Sequence, residues 1–372
     1  MQILTALDHD RLHPERRRCS TIRAMIRRPS DQLARADFAD IPRYAPSSDV
    51  EANLGENTNL WGTPPAATAA LHARIDTGVQ QYPDMYGGSL KDCVARMAGV
   101  GTDCVVTGNG SDDVLDCAIR AFAEPGATIA HPDPTFVMLP VFSRINSVKP
   151  VAVPLTDSWQ NDCDALLATG ARIIYLCSPN NPVPVSTSVE GIRRVIRDAP
   201  GLVILDEAYA EFGGENGLLR EAPGLERVLV CRTLSKAYGL AGLRVGYATA
   251  SPGIVATIEK SRGPFKVNAL AERAAVAAMT LDREWVLARA SEAIESRDRL
   301  AAALRALGFS PLPSAANFLL VPAPNAAAIA ASLRSRGIAV RPFSNLPRIG
   351  DAFRITAGPW PIMERVLDAL RG

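Results

Sequence analysis

The chain has 372 residues, 47% of them apolar, with 40 basic and 39 acidic side chains. That length holds a large α/β domain with a smaller partner, and that apolar content excludes a disordered chain. The charge balance leaves no basic field for nucleic acid, and no apolar run approaches the ~20 residues needed to span a membrane.

Residues 1–35 form an Arg-rich arm in which Arg11, Arg16, Arg17, Arg18, Arg23, Arg27 and Arg28 crowd a stretch of little apolar periodicity. Asp8, Asp10 and Glu15 argue against a transit peptide, so the arm is expected to be a mobile tail or the product of a start upstream of Met25. Residues 36–64 are expected to join a small domain. Residues 65–270 alternate strands and helices and form the expected large domain. Short β-rich runs fall at Cys104–Thr107, Ala127–His131, Val151–Pro154, Arg172–Cys177, Leu202–Asp206, Val228–Thr233 and Val245–Ala250. Val114, Leu115, Ala118, Ile119 and Phe122 repeat at helical spacing, as do Val189, Ile192, Val195 and Ile196 in the helix expected over 187–198. Strands alternating with helices predict a mostly parallel seven-stranded sheet with helices on both faces. Residues 271–372 predict a small α+β domain. Its elements are a long helix over 282–306, strands Asn317–Val321, Ile338–Arg341 and Ala352–Thr356, a helix over 325–336 and a last helix after Pro361.

The seven cysteines are scattered and contain no Cys-x-x-Cys pair, which argues against a disulfide framework and a zinc site and for a reducing cytoplasm. No metal is expected.

The chemistry concentrates in the loops that follow the strands. Thr233-Leu234-Ser235-Lys236 ends one strand and runs into a glycine-rich turn that reaches Arg244. The chain contains only five lysines among its 40 basic residues, so a lysine between hydroxyls and glycines points to a need for an amine. Arginine stays protonated, whereas a desolvated lysine can lose its proton and form a Schiff base. Ser235 and Arg244 suit one phosphate. Asp206 closes the apolar run Leu202–Leu205, where open α/β sheets bind ligands, and Tyr209 follows it; a helix cap is the structural alternative for Asp206. Gly108-Asn109-Gly110-Ser111-Asp112 misses the dinucleotide spacing at Asp113, but it still makes an anion site at a helix start. Asn181, in Ser178-Pro179-Asn180-Asn181-Pro182, offers an amide donor. Phe136 offers a face for a flat ring, and His131 reads as structural.

Taken in order, GNGSD, PTF, SPNNP, LDEAY, TLSKAYGLAGLRVG and FRITAG resemble the class I/II aminotransferases of the fold-type-I pyridoxal 5′-phosphate (PLP) enzymes, on the histidinol-phosphate aminotransferase branch. The resemblance runs from about Asp40 to the C-terminus. It implies the type I transferase fold, a PLP cofactor and a homodimer with shared sites. By that resemblance Lys236 is the Schiff-base lysine and Asp206 pairs with the pyridinium. Asn181 and Tyr209 hold the phenolate oxygen and Phe136 stacks on the ring. Gly110, Ser111, Asp112, Thr233, Ser235 and Arg244 surround the phosphate, which Tyr82 reaches across the dimer interface. Tyr44, Arg341 and Arg354 face the substrate. The implied reaction moves an amino group from histidinol phosphate or an aromatic amino acid to 2-oxoglutarate, in ping-pong order. One departure is plain: Val183-Pro184 stands where the family usually has Thr-Gly, which fixes φ at Pro184 and restricts Val183 to extended geometry.

The same motifs serve PLP lyases, such as a threonine-phosphate decarboxylase, and natural-product cyclases, because the cofactor carries the chemistry. A regulatory protein on this fold would need a DNA-binding domain for which 30 residues are too few. A nucleotide-binding protein is disfavoured by Lys236 and the failed glycine spacing.

Overall fold

The computed structural model describes residues 50–76, 79–214 and 217–371, together with Ala34, Arg35, Phe38 and Ile41. The Arg-rich stretch 1–30 and Tyr44 lie outside the described residues. The strands are β1 (Ala52–Asn53), β2 (Val105–Asn109), β3 (Thr128–Asp133), β4 (Lys149–Pro154), β5 (Ile173–Cys177), β6 (Leu202–Asp206), β7 (Val228–Thr233), β8 (Val245–Ala250), β9 (Phe318–Pro322), β10 (Ile338–Ala339), β11 (Arg341–Leu346) and β12 (Gly350–Thr356). The helices are α1 (Pro65–Asp76), α2 (Gly88–Ala98), α3 (Ser111–Phe122), α4 (Met138–Ile145), α5 (Cys163–Ala168), α6 (Val189–Asp198), α7 (Ala210–Gly213), α8 (Pro252–Lys260), α9 (Ala269–Thr280), α10 (Arg283–Ala306), α11 (Ala326–Ser335) and α12 (Trp360–Arg371).

The runs predicted between 104 and 250 are β2 to β8, and they form one seven-stranded sheet in the order β2-β8-β7-β6-β5-β3-β4. β8 is antiparallel to β2 and β7, while the β7-β6, β6-β5, β5-β3 and β3-β4 pairs are parallel. The central strands β5, β6 and β8 are buried on both faces and read as near-continuous apolar runs, while the edge strand β4 is only partly covered. Because side chains alternate, Ile173, Tyr175 and Cys177 of β5 enter one core with α3, α4 and α8, while Ile174 and Leu176 enter the other with α2, α6 and α9. The parallel strands end together, and their loops carry the motifs.

A second, three-stranded antiparallel sheet has the order β11-β12-β9, and β1 pairs parallel with β10. Its core joins Leu54, Leu319, Val321, Phe353 and Ile355 to Leu333 of α11 and Met363 of α12. α10 crosses from one core to the other. Val286, Ala290 and Ala293 pack with the large sheet, and Leu300, Ala301 and Leu304 pack with the small one.

Ile338–Arg341, expected as one strand, divides in two. Ile338 and Ala339 pair with β1, while Arg341 begins β11 and pairs with Arg354 of β12. The last helix starts at Trp360 rather than after Pro361. Proline is tolerated in the first turn, where its missing N–H has no intrahelical partner to lose. α1 and α9, both Ala-rich, carry little periodic signal in the sequence. Ala271, Ala274, Ala275 and Ala278 of α9 are fully buried, so α9 packs through small side chains that give little periodic contrast. The six described cysteines are free and buried, and no helix among the described residues is long and apolar enough to cross a membrane.

Candidate active site

A cavity of about 660 Å³ opens at the carboxyl edge of the large sheet, with Arg341, Phe343 and Arg354 of the small sheet on its other side. Its first corner forms where β2 passes into α3. Gly110 has φ +82°, a left-handed conformation that favours glycine, and a Cβ there would lie 2.5 Å from Arg244 Nη2. At Gly246 of β8 a Cβ would meet Ser111 N at 2.1 Å, so that glycine lets the strand run against the start of α3. Ser111 and Asp112 lie in the first turn of α3 and line the cavity. Arg244 Nη1 donates to Ser235 Oγ at 3.2 Å and Nη2 donates to Asp112 Oδ2 at 3.1 Å. Thr233 also lines this corner, and its Oγ1 accepts from the Ser235 N–H at 3.1 Å. Hydroxyl, guanidinium and helix N-terminus therefore converge on one anion-sized corner.

Lys236 lies beside that corner, and its Nζ donates to the Glu56 carbonyl at 2.9 Å. Burial, and after it the positive charge of Arg354, pushes the Lys236 ammonium down to about 8. Asp206 ends β6 with its side chain buried. Its Oδ2 accepts from the Tyr175 hydroxyl at 2.8 Å and its Oδ1 accepts from the Ala208 N–H at 3.0 Å. Burial pushes its carboxyl up to about 6, against the pull of those two donors.

Asn181 and Tyr209 also line the cavity. Asn181 Oδ1 accepts from Arg354 Nη1 at 2.6 Å, which leaves its amide hydrogens to donate. The buried Tyr209 Oη accepts from Asn57 Nδ2 at 3.0 Å, and burial raises the phenol above its ordinary value. Its own O–H is thus kept as a donor. Phe136 is half-buried on the cavity wall, and Thr135 Oγ1 donates to Asn180 Oδ1 at 2.8 Å, tying that loop to Ser178–Pro182. The departing residues act just beyond. Val183 is fully buried with Leu155, Leu320 and Ala352, and the Pro184 carbonyl accepts from the Ala315 N–H at 2.7 Å. The Val-Pro pair thereby fastens the loop to the small sheet.

Two predicted residues stand apart. Tyr82 is 81% exposed, stacked on Phe265 with ring centroids 4.7 Å apart, and is not among the residues lining the cavity of its own chain. His131 is buried on β3 with Nδ1 2.9 Å from the Pro132 carbonyl oxygen, and burial lowers its pKa. It does not line the cavity. Glu56, Asn57 and Tyr175 were not found by sequence reasoning. The first two lie in a polar stretch without periodicity, and Tyr175 hides in an apolar strand. No group of three or more His, Cys, Asp or Glu that could hold a metal occurs among the described residues.

Residues 50–370 match the family model of aminotransferase class I and II. The chain belongs to that family. The histidinol-phosphate aminotransferase of Gluconacetobacter diazotrophicus is 36% identical over 338 residues, covering 89% of this chain and 93% of that one. That of Parabacteroides distasonis is 34% identical over 329 residues, covering 87% and 91%. Among solved structures, the histidinol-phosphate aminotransferase of Sinorhizobium meliloti in complex with pyridoxal-5′-phosphate is similar at a TM-score of 0.83 and 26% identity, covering 90% and 97%. This aminotransferase therefore falls on the histidinol-phosphate aminotransferase branch and has the type I fold. The L-threonine-O-3-phosphate decarboxylase of Porphyromonas gingivalis is similar at a TM-score of 0.78. At 23% identity that likeness shows the fold alone, so the lyase alternative is not favoured.

Proposed function

We propose that this aminotransferase uses PLP to take the amino group of histidinol phosphate, or of an aromatic amino acid, and deliver it to 2-oxoglutarate in ping-pong order. One observation carries the reading: a lysine pushed down to about 8, a buried carboxylate and an arginine–hydroxyl–helix cup line a single cavity. The donor set suits the cofactor. Ser111, Ser235, Arg244 and the first amides of α3, including that of Asp112, would hold the phosphate, with Gly110 leaving room and Thr233 steadying Ser235. Asp206 would face the ring nitrogen, Asn181 and Tyr209 would donate to the phenolic oxygen, and Phe136 would flank the ring. When bound, PLP supplies an electron sink for the carbon that carries the amino group.

The chain's own residues do the rest. Lys236 Nζ, neutral in a good fraction of molecules near pH 8, takes the proton from the donor Cα and is the group that gives it back. Arg354 and Arg341, paired across β11 and β12, grip the donor's phosphate or carboxylate and then the carboxylates of the keto acid. Two copies would form the active dimer, each lending Tyr82 to the other's phosphate corner; the exposed Tyr82, Met85 and Phe265 are the apolar surface that supports this assembly. We place the enzyme in the cytoplasm, in keeping with its unpatterned cysteines.

The test is a panel of amino donors, histidinol phosphate included, assayed with 2-oxoglutarate. Glutamate should form in proportion to donor lost, with histidinol phosphate giving the highest kcat/KM. Carbon dioxide release without loss of keto acid would overturn the transaminase reading.

A further inference from the structure

Asp206 is held in an unusual manner for a buried carboxylate. Among the described residues it has no ion-pair partner, and its two oxygens rest on one hydroxyl and one backbone amide. The register explains the hydroxyl. Cys177 of β5 and Cys231 of β7 lie directly beside Asp206, and all three share the sheet face of Tyr175. Tyr175 stands two residues before Cys177, so its long side chain reaches diagonally along that face to the carboxylate. It is fully buried, and its hydroxyl donates to Asp206 Oδ2 at 2.8 Å.

The other groups facing Asp206 cannot replace that donor. The Cys177 and Cys231 thiols are pushed up by burial and stay neutral, and Cys177 Sγ is turned to the Pro179 carbonyl. Glu207, next along the chain, is directed away into an ion pair with Arg232 at 2.8 Å and also accepts from the Leu218 N–H at 2.7 Å. Asp112, at the start of α3, adds negative charge that opposes ionisation, as does Glu207. Tyr209, on the loop after β6, is a neutral phenol occupied with Asn57.

We infer that Tyr175 is the positioning residue for Asp206: its hydrogen bond orients the carboxylate and keeps it ionised toward a cationic ring in the cavity. The inference rests on the cofactor reading above. Burial alone favours a neutral carboxyl, and the Tyr175 hydroxyl is the side-chain donor that opposes it. A phenylalanine at this position keeps the ring that fills the core and removes the donor only.

The experiment measures PLP binding to the full-length apoenzyme by fluorescence titration across pH, without turnover. In the wild type, affinity should fall as pH drops through about 6, where Asp206 takes up a proton. Tyr175→Phe should weaken binding roughly 10- to 100-fold at neutral pH and move that midpoint up by about one to two units, the scale of a hydrogen bond to a charged group. Inorganic phosphate, titrated separately, should bind both proteins equally, since its corner does not touch Tyr175. Tyr175→Phe should add nothing in an Asp206→Asn background. A second variant, 3-fluorotyrosine installed at position 175, has a more acidic hydroxyl and should move the midpoint down; it decides the question if the phenylalanine protein does not fold. An unchanged midpoint, or a parallel loss of phosphate binding, would overturn the inference. A wild-type protein that binds no PLP would instead overturn the cofactor reading.

Discussion

The two sides of the cavity are built differently. The floor belongs to the large sheet. Its groups stand at strand ends, fixed by register and by backbone: Asp206 between Cys177 and Cys231, Ser111 at a helix start, and Arg244 braced on Ser235 and Asp112. The facing wall is the β11–β12 ribbon, whose β11 strand is half-exposed and whose register shifts between Phe343 and Leu346. There the charge is carried on long side chains, Arg341 and Arg354. A floor fixed by backbone suits chemistry that tolerates little displacement, and a ribbon suits recognition of substrates that differ in shape. Substitutions on the floor should therefore strike rate and cofactor, and those on the wall should strike substrate affinity.

The largest expected effect sharpens that division. Lys236→Ala should lower kcat by ~10²–10⁴-fold or more, the worth of a positioned general base, in a single-turnover assay. Near-normal turnover would remove the lysine from the chemistry. Asp206→Asn should also be severe in rate, yet it should make the apoprotein more stable. The carboxyl is pushed from 3.8 up to about 6, so holding it ionised costs roughly 2–3 kcal/mol at neutral pH. Because its native value is raised, that cost grows as pH rises from 3.8 to about 6 and vanishes in acid. Thermal melts of both apoproteins at pH 5 and pH 8 should show the gap widening at pH 8.

On the wall, Arg354→Ala should raise KM for the donor roughly 10–150-fold, from the loss of a charge-assisted hydrogen bond. Cofactor should still bind, though Asn181 loses its partner, so equilibrium dialysis should show only a small change. A collapse of cofactor binding with KM intact would erase the distinction between floor and wall. A gentler effect concerns Lys236 itself. Its modification by a small amine-reactive reagent in the apoenzyme should rise with pH to a midpoint near 8, because only the neutral amine reacts. A midpoint near 10.5, the ordinary lysine value, would mean that the site does not depress it.

The same contrast explains what the sequence disclosed. The floor was legible because the central parallel strands β5 and β6 are short apolar runs buried on both faces, and each ends on a motif whose residue types answer a chemical need. The wall was legible only through family resemblance. Pro342, Ser344 and Asn345 show no strand alternation, and Ile338–Ala339 leaves Arg341 for another partner, so the ribbon appeared as a fragment. Glu56 and Asn57 sit more than 150 residues from Lys236 and Tyr209, and nothing local announces those contacts. Tyr175 was hidden for the opposite reason: in an apolar strand a tyrosine reads as core, and only the register shows that its hydroxyl meets a carboxylate.

The central claim, that Lys236 is the reacting amine, has a direct test. The purified protein, loaded with PLP, is reduced with borohydride, digested and mapped by mass spectrometry. With five lysines in the chain the assignment is unambiguous. The account predicts the cofactor's mass fixed on the peptide that contains Lys236, in near-stoichiometric yield. Attachment at Lys91, Lys149, Lys260 or Lys266 in its place, or bound cofactor that no lysine retains, would contradict it.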